Sequence, residues 1–198
     1  MNGTAAVTPS AANNSRILNV TVTFNVAAAA TATIDGIQVN IAGATTLNGG
    51  LTLTTNIGVK TFTGLVTLNA AATWTSTSIT TAGNLIFQNG IVSNGILFAG
   101  GAATFNTNSQ SLSGTTEVSF ANSVTVTGVN VTNNLVSANG FIVGVDLLGT
   151  GGMIQGANST LSIGDDVFIT TLSATASPNI VNYNTSGIGS DIYSTTYH

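Results

Sequence analysis

Charged side chains are the scarcest component of this 198-residue chain. Asp, Glu, Lys and Arg together make up 4% of the residues, there is no Cys, and the single His is the last residue, His198. Nucleophilic triads, metal sites and phosphate-binding loops all depend on such side chains. The composition therefore predicts a protein that is not an enzyme, with no catalytic residues, no metal site and no cofactor.

The balance of the few charges excludes further classes. Arg16 and Lys60 are the only basic residues, against six acidic ones, and the formal net charge is −4. Two cations cannot neutralise a run of phosphates, so we expect no nucleic-acid partner. The mean hydropathy is +0.43, yet Thr, Asn and Gly interrupt every apolar run before about 18 residues, so we expect no membrane insertion. The absence of Cys fits a secreted protein that avoids thiol chemistry.

What fills the chain instead is an alternation of apolar residues with Thr and Asn. Leu18, Val20, Val22, Phe24 and Val26 all fall on one face of a predicted extended strand. Similar short runs recur along the chain, and turn-forming pairs such as Asn-Gly and Gly-Gly separate them. Thr, Val and Ile favour strands, while Glu, Lys and helically spaced Leu are scarce, so the chain is predicted to be all-β.

Three patterns favour a solenoid over a sandwich or a barrel. Residues 39–56 resemble residues 118–134, both running strand, Ala, turn, Thr-bearing strand, Gly and second strand. Alanines cluster at 27–30, 70–72 and 102–103, as the corners of a narrow coil require. Like residues stack about 4.8 Å apart in such a coil, so Asn and Thr would share hydrogen bonds between turns, whereas like charges would repel.

The predicted fold is therefore one right-handed parallel β-helix (β-solenoid) over residues 1–198, an incomplete segment of a longer rod. Residues 1–16 are expected to form an irregular lead-in and residues 185–198 an incomplete last unit. An end without a cap exposes strand edges, so we expect further repeats of the same polypeptide, or self-association, to seal it.

Four segments follow a recognisable repeat pattern. Residues 95–114 read Gly-Ile-Leu-Phe-Ala-Gly-Gly-Ala-Ala-Thr-Phe-Asn-Thr-Asn-Ser-Gln-Ser-Leu-Ser-Gly, and residues 147–164 read Leu-Leu-Gly-Thr-Gly-Gly-Met-Ile-Gln-Gly-Ala-Asn-Ser-Thr-Leu-Ser-Ile-Gly. Residues 179–187 read Asn-Ile-Val-Asn-Tyr-Asn-Thr-Ser-Gly, and residues 194–197 read Ser-Thr-Thr-Tyr. Over about residues 60–198 the chain thereby resembles the β-solenoid repeat of large secreted, adhesin-like surface proteins of Bacteroidetes type.

The resemblance implies parallel β-helical repeats in a long exported protein, delivered by type IX secretion to the cell surface. It also implies a structural or adhesive role, as cell-surface material or an extracellular filament, with surface glycans or the secretion machinery as partners. The chain departs from the family pattern at residues 185–187, which read Thr-Ser-Gly instead of Gly-Ser-Gly, and at residues 189–192. Both departures fall at predicted turns and leave the fold prediction unchanged.

Asp165 and Asp166 are the candidate metal ligands, because they follow Gly164 at the end of a predicted strand and carboxylates bind calcium. Calcium-binding repeats carry a recurring Gly-Gly-x-Gly-x-Asp pattern. Residues 149–152, Gly-Thr-Gly-Gly, lack the Asp, and no second copy follows. The sequence therefore favours a solvated turn over a calcium site.

Thr-x-Thr pairs supply the candidate ligand-binding residues, which are Thr52, Thr54, Thr61, Thr63, Thr73 and Thr75, together with Trp74. A flat, exposed Thr or Asn face would bind ice or a glycan. Any half-buried strand also points its Thr outward, and the irregular spacing of the pairs argues against a regular ice plane. Trp74 would either stack on a sugar or fill the core beside the small residues 70–72, and its volume favours the core.

A polysaccharide-degrading β-helix enzyme is the third alternative, and it would need carboxylates clustered on one face. Asp35, Glu117, Asp146 and Asp165 are scattered in the sequence. Three carboxylates clustered in a groove would favour an enzyme, and a Thr face aligned over several turns would favour ice binding. The prediction otherwise is a non-catalytic structural or adhesive rod module of a secreted cell-surface protein.

Overall fold

A computed structural model describes residues 17–54, 58–76, 84–184 and 193–194. This part of the chain is all-β and contains no helix, hence none long and apolar enough to cross a membrane. Its strands are parallel and wind into a β-solenoid of about seven turns, which confirms the predicted fold class. The predicted lead-in, and all of the predicted last unit except residues 193–194, lie outside the described residues.

Three parallel sheets, each with eight strands in the described ranges, form the walls of the solenoid. Sheet I contains β1 (Ile17–Val20), β4 (Gln38–Ile41), β7 (Val59–Phe62), β10 (Asn84–Phe87), β13 (Ala103–Phe105), β16 (Val124–Val126), β19 (Leu147–Leu148) and β22 (Val167–Phe168). Sheet II contains β2 (Phe24–Val26), β5 (Thr45–Leu47), β8 (Val66–Leu68), β11 (Ile91–Ser93), β14 (Gln110–Gly114), β17 (Asn130–Leu135), β20 (Gly152–Gln155) and β23 (Thr171–Ser173). Sheet III contains β3 (Thr31–Ile34), β6 (Gly50–Leu53), β9 (Thr73–Ser76), β12 (Ile96–Ala99), β15 (Val118–Phe120), β18 (Phe141–Val143), β21 (Thr160–Ile163) and β24 (Ile180–Tyr183).

Three consecutive strands, one from each sheet, make one level of the coil, from level 1 (β1 to β3) to level 8 (β22 to β24). The length of chain between paired residues varies from level to level. On sheet I the number of residues between paired positions is smallest for Leu85 and Ala103, and it is largest for the pairs of β7 with β10. The spacing between Ile17 and Gln38 is intermediate. No constant period therefore marks the turns in the sequence.

The internal similarity that favoured a solenoid is not a structural repeat. Val39 lies on β4 in sheet I, whereas Val118, its counterpart in the similarity, lies on β15 in sheet III. The structural partner of Val39 on the next level is Lys60. The similarity reflects the shared alternation of apolar and polar residues in all three sheets, which is why it led to the right fold from a wrong alignment.

Alternation places every second side chain of most strands in the core. Leu18, Val20, Phe24 and Val26 are buried as predicted, but Val22 is 65% exposed, so the prediction of one continuous face over these residues is wrong. The chain leaves sheet I after Val20 and enters sheet II at Phe24. Residue 22 therefore lies at a corner, where the side chain points away from the core although the alternation continues.

Aromatic rings stack along the centre of the core. Phe62, Phe87 and Phe105 are neighbours in register on sheet I, with ring centroids 5.5 and 5.4 Å apart. Trp74 approaches Phe62 at 4.9 Å from sheet III, and Phe120 approaches Phe87 at 5.8 Å. These rings join levels 3 to 5 into one packed column.

Polar side chains stack outside the core and share hydrogen bonds between levels, as the sequence predicts. The Asn40 amide donates to the Asn19 side-chain oxygen at 2.7 Å, and the Asn69 amide donates to that of Asn48 at 2.6 Å. Each donor lies one level above its acceptor. Such ladders satisfy amides at positions where a stack of charges would repel.

Small residues form corners at two of the three predicted clusters, whereas Ala103 of the cluster 102–103 is a buried residue of β13. Residues 27–30 and 70–72 connect sheet II to sheet III. At the corner between sheets I and II, a Cβ added to Gly64 would lie 2.4 Å from the carbonyl oxygen of Gly43 on the level below. The backbones of successive levels therefore pack directly on each other there, and only glycine fits.

Among the described residues, one charged side chain lies inside the core. Lys60 is 1% exposed and occupies the inward row of sheet I, between Val39 and Leu85 of the adjacent levels. Burial lowers the pKa of Lys60 below its ordinary value of 10.5, and attraction to Asp35 partly opposes this shift. The alternation contains the signal for this placement, since Lys60 is in phase with the buried Phe62.

A buried amide pair marks levels 6 and 7 of sheet II. Asn133 occupies the inward position above Leu112, and its amide donates to the Gln155 side-chain oxygen at 3.0 Å and to the Thr160 carbonyl at 2.8 Å. Ser159 also donates to Gln155, at 3.0 Å. This small network connects sheet II to the corner that precedes β21.

Candidate functional site

The outer surface of sheet III carries a compact group of threonines. Thr33, Thr52 and Thr75 are direct neighbours in register on β3, β6 and β9. Thr31 and Thr73 form a second column, interrupted by a glycine on β6. We call these five residues the Thr array. Sheet geometry spaces its hydroxyl-bearing positions about 4.8 Å apart across strands and about 6.7 Å apart along them.

The Thr array ends at level 3. Ile96 and Phe98 continue its two columns on β12 and are 56% and 41% exposed. Thr52 and Thr33 are half-buried by their neighbours, whereas Thr73 and Thr75 are exposed. The face therefore changes from hydroxyl-bearing to apolar within one strand spacing.

The structure separates the remaining candidates from this face. Thr54 is exposed just after the end of β6, whereas Thr61 and Thr63 lie on and just after β7 in sheet I. Trp74 is completely buried between Leu51 and Leu97 of the adjacent levels. Its ring is part of the core, where its volume favoured it, and is not available to stack on a sugar.

The candidate metal ligands Asp165 and Asp166 lie beside Asp146, where the chain passes from sheet III to sheet I. One carboxylate oxygen from each residue lies within 4.8 Å of the others, and we call these three residues the acidic cluster. Asp146 accepts hydrogen bonds at 3.3 Å from the Ser123 hydroxyl and from the Asp166 backbone amide. Sequence reasoning missed Asp146 because it joins the pair only through stacking of levels 7 and 8.

Oxygen ligands of this kind suit calcium, but a solvated turn remains the interpretation that the sequence favours. We therefore expect Asp165→Asn to be at least as stable as the wild type, because the change relieves like-charge repulsion worth a few tenths of a kcal/mol. The measurement is the melting temperature of both proteins with EDTA and with millimolar calcium. A calcium-dependent rise in the wild type that the variant lacks would show instead that the cluster is a cation site.

A polar groove lies at the corner between sheets I and II on levels 5 to 8. Its volume is about 670 Å³, and we call it the corner groove. The loops after β13, β16, β19 and β22 form its walls, and its lining includes Thr107, Asn108, Asn130, Thr150, Thr170 and Thr171. The acidic cluster lies at a different corner and contributes no residue to this lining.

The backbone at the level-5 end of the corner groove is strained. Thr107 has φ +80°, a left-handed conformation that is rare for a β-branched residue. Gly128, the corresponding corner residue one level above, has φ +66° without such a penalty. The Thr107 hydroxyl donates to the Asn106 side chain at 2.8 Å. No sequence motif indicated this groove, because four separate loops assemble it.

We expect Thr107→Gly to raise the free energy of unfolding by about 1 kcal/mol, since the strain of about 1–3 kcal/mol exceeds the entropic cost of glycine. Urea denaturation followed by circular dichroism measures this change. As a control, Thr104→Gly in β13 should lower stability by about 1 kcal/mol, because glycine weakens a strand of ordinary geometry. Equal losses in both variants would contradict the strain at residue 107.

The chain finds no match among protein-family models, curated proteins or solved structures.

Proposed function

We propose that the chain is a non-catalytic structural and adhesive rod module of a secreted cell-surface protein. The observation that carries the proposal is the core of the described residues, in which three eight-stranded parallel sheets share one apolar cluster. Seven steps between eight levels give a rod about 34 Å long in the described residues. Such a rod spaces or presents other parts of a surface protein, and its ends pair with further repeats or with copies of the chain.

The chemistry of the surface supports this role. The described hydrogen-bond ladders and the stacked glycine corners hold adjacent levels of the coil together. The charged residues are too few to attract anionic partners from a distance. Export by the type IX route and presentation outside the cell belong to the same proposal. They are supported by the repeat pattern of residues 95–114 and 147–164 and by the lack of Cys.

Location in the native cells tests the proposal. Antibodies raised against the folded chain are expected to label intact, unpermeabilised cells, and external protease is expected to remove the label. A cytoplasmic reference protein must stay unlabelled in the same cells. Labelling that requires permeabilisation contradicts the proposed surface role.

Ice binding is the second candidate function, and the Thr array is the observation that favours it. Thr33, Thr52 and Thr75 present their side chains in register from three adjacent strands, as the sequence-based criterion required. Regularly spaced methyl and hydroxyl groups on a flat sheet order water in an ice-like arrangement. The array covers three levels only, so the expected activity is a weak one.

Thermal hysteresis and ice-crystal shaping measure this activity directly. Thr52→Tyr places a bulky ring in the centre of the array and is expected to abolish any hysteresis of the wild type. Thr46→Tyr is the matched control, because Thr46 points outward from sheet II on the same level. If ice crystals grown in the presence of the wild-type protein are unshaped discs, ice binding is excluded. The structural rod module is then the proposed function that stands.

A further inference from the structure

We propose that the corner groove binds a neutral oligosaccharide along the axis of the solenoid. The groove crosses the loops of four levels, so its length is about 14 Å. Its volume of about 670 Å³ lies within the range of about 300–1,000 Å³ that is usual for ligand sites. A short, extended polymer fits such a shape better than a compact ligand does.

The chemistry of the lining selects the ligand class. The side chains that line the groove are hydroxyls and amides, with one valine, and none of them carries a charge. Hydroxyls and amides both donate and accept hydrogen bonds, as the hydroxyls of a sugar do. An anionic ligand would find no counter-charge there and would meet a protein of net charge −4.

Several of these groups are available to a ligand. Within the described residues, the side chains of Asn130 and Thr150 make no hydrogen bond. A Cβ added to Gly152 would lie 2.5 Å from the Asn130 side-chain oxygen and 2.3 Å from the Thr171 hydroxyl oxygen. These two oxygens therefore converge over a backbone that carries no side chain.

Glycine also keeps the middle of the groove open. A Cβ added to Gly128 would meet no atom of the described residues within 4 Å, so the space beside the backbone is accessible. The strained residue Thr107 stands on the adjacent level of the same groove. Residues in strained conformations cluster at ligand sites, and here the strained residue contributes a hydroxyl-bearing side chain to the lining of the groove.

Two aromatic residues flank the level-8 end of the groove. Phe168 is 55% exposed and points outward two residues before Thr170, which lines the groove. The Tyr193 hydroxyl donates to the Thr170 carbonyl at 2.6 Å. Aromatic rings pack on the C–H faces of sugars, while their polar surroundings bind the hydroxyls. The aromatic rings therefore complement the C–H faces of a sugar, and the polar lining complements its hydroxyl groups.

This inference extends the proposed adhesive role, but titration in solution tests the groove separately from the location of the protein. The probes are xylohexaose, cellohexaose, maltohexaose and laminarihexaose, with tetragalacturonate as the charged comparison. Calorimetry and amide chemical shifts are expected to show saturable binding of at least one neutral probe, with shifts in residues 107–109 and 128–130. The double variant Asn130→Ala, Thr150→Ala is expected to weaken that binding by about tenfold or more.

The control double variant is Thr104→Ala, Thr125→Ala, whose outward positions on sheet I lie outside the groove, and it should bind within about twofold of the wild type. Thr107→Gly provides a second test that does not depend on a destabilised variant. It is expected to bind more weakly than the wild type although its fold is more stable. The proposal is overturned if no neutral probe binds at about 10 mM, if tetragalacturonate binds as tightly as the best neutral probe, or if the groove variants bind like the wild type.

Discussion

Replacing Phe87 by alanine is expected to lower the free energy of unfolding by about 4 kcal/mol, since leaving a cavity of this size in a core costs about 3–5 kcal/mol. The side chain is completely buried. Its ring lies 5.5 and 5.4 Å from the rings of Phe62 and Phe105 and 6.1 and 5.8 Å from those of Trp74 and Phe120. The variant therefore loses the hydrophobic burial of the ring and its contacts with four other rings, and it leaves a cavity in the core.

The position of Phe87 in the coil also affects the cooperativity of unfolding. Phe87 lies on level 4, and each level of a solenoid contacts mainly its neighbours. The loss should therefore weaken the connection between the two halves and broaden the urea transition followed by circular dichroism. Phe98→Ala is the matched control, because this ring is 41% exposed on sheet III, and its loss should be within about 1 kcal/mol. A Phe87→Ala loss no larger than that of the control contradicts the packed column.

Replacing Lys60 by methionine is expected to raise the free energy of unfolding by about 1–3 kcal/mol, because exchanging a buried ion for an apolar side chain of similar volume is often stabilising. Methionine would continue the apolar row between Val39 and Leu85. Asp35 is half-buried and keeps contact with water after the change. Asp35→Asn is the control and should lower stability at neutral pH, because it removes the attraction that favours charged Lys60.

The pH dependence of stability provides an independent test of the Lys60 environment. Because its pKa in the folded state is lowered below 10.5, the unfolded chain binds more protons at this residue between the two pKa values. Wild-type stability should therefore rise with pH through the folded pKa and level off above 10.5. The advantage of Lys60→Met should shrink over the same window. An advantage that stays constant up to pH 10.5 contradicts the lowered pKa.

Local alternation carries enough information to predict the strands. Residues 66–68 and 124–126 both read buried, half-buried, buried, as their apolar-Thr-apolar sequences indicate. Alternation alone does not specify which strands pair, because the length of chain between paired positions changes from level to level and leaves no period to follow. The pairing depends on which inward side chains, apolar and polar, meet on adjacent levels. This is why the similarity between residues 39–56 and 118–134 did not correspond to neighbouring strands.

The candidate sites were predictable only where their residues are close together in the sequence, as in the Thr-x-Thr pairs and in Asp165 and Asp166. Thr52, Thr73 and Thr75 belong to the Thr array, but their sequence spacing did not show that they share a face or that Thr61 points from another sheet. Asp146 reaches its partners through stacking of levels. The corner groove had no signal in the sequence, since its residues come from four loops and carry no motif.

The buried amide pair of levels 6 and 7 helps to determine which strands pair when the solenoid folds. Inward rows of Val, Leu and Phe are nearly interchangeable, so a coil assembled one level out of step would bury a similar apolar surface. Such a coil would place Gln155 against Leu112 instead of Asn133, and each buried amide left without its partner costs about 1–3 kcal/mol. The polar residues of the core thus work as position markers, which distinguish one winding among many that hydrophobic burial alone would accept.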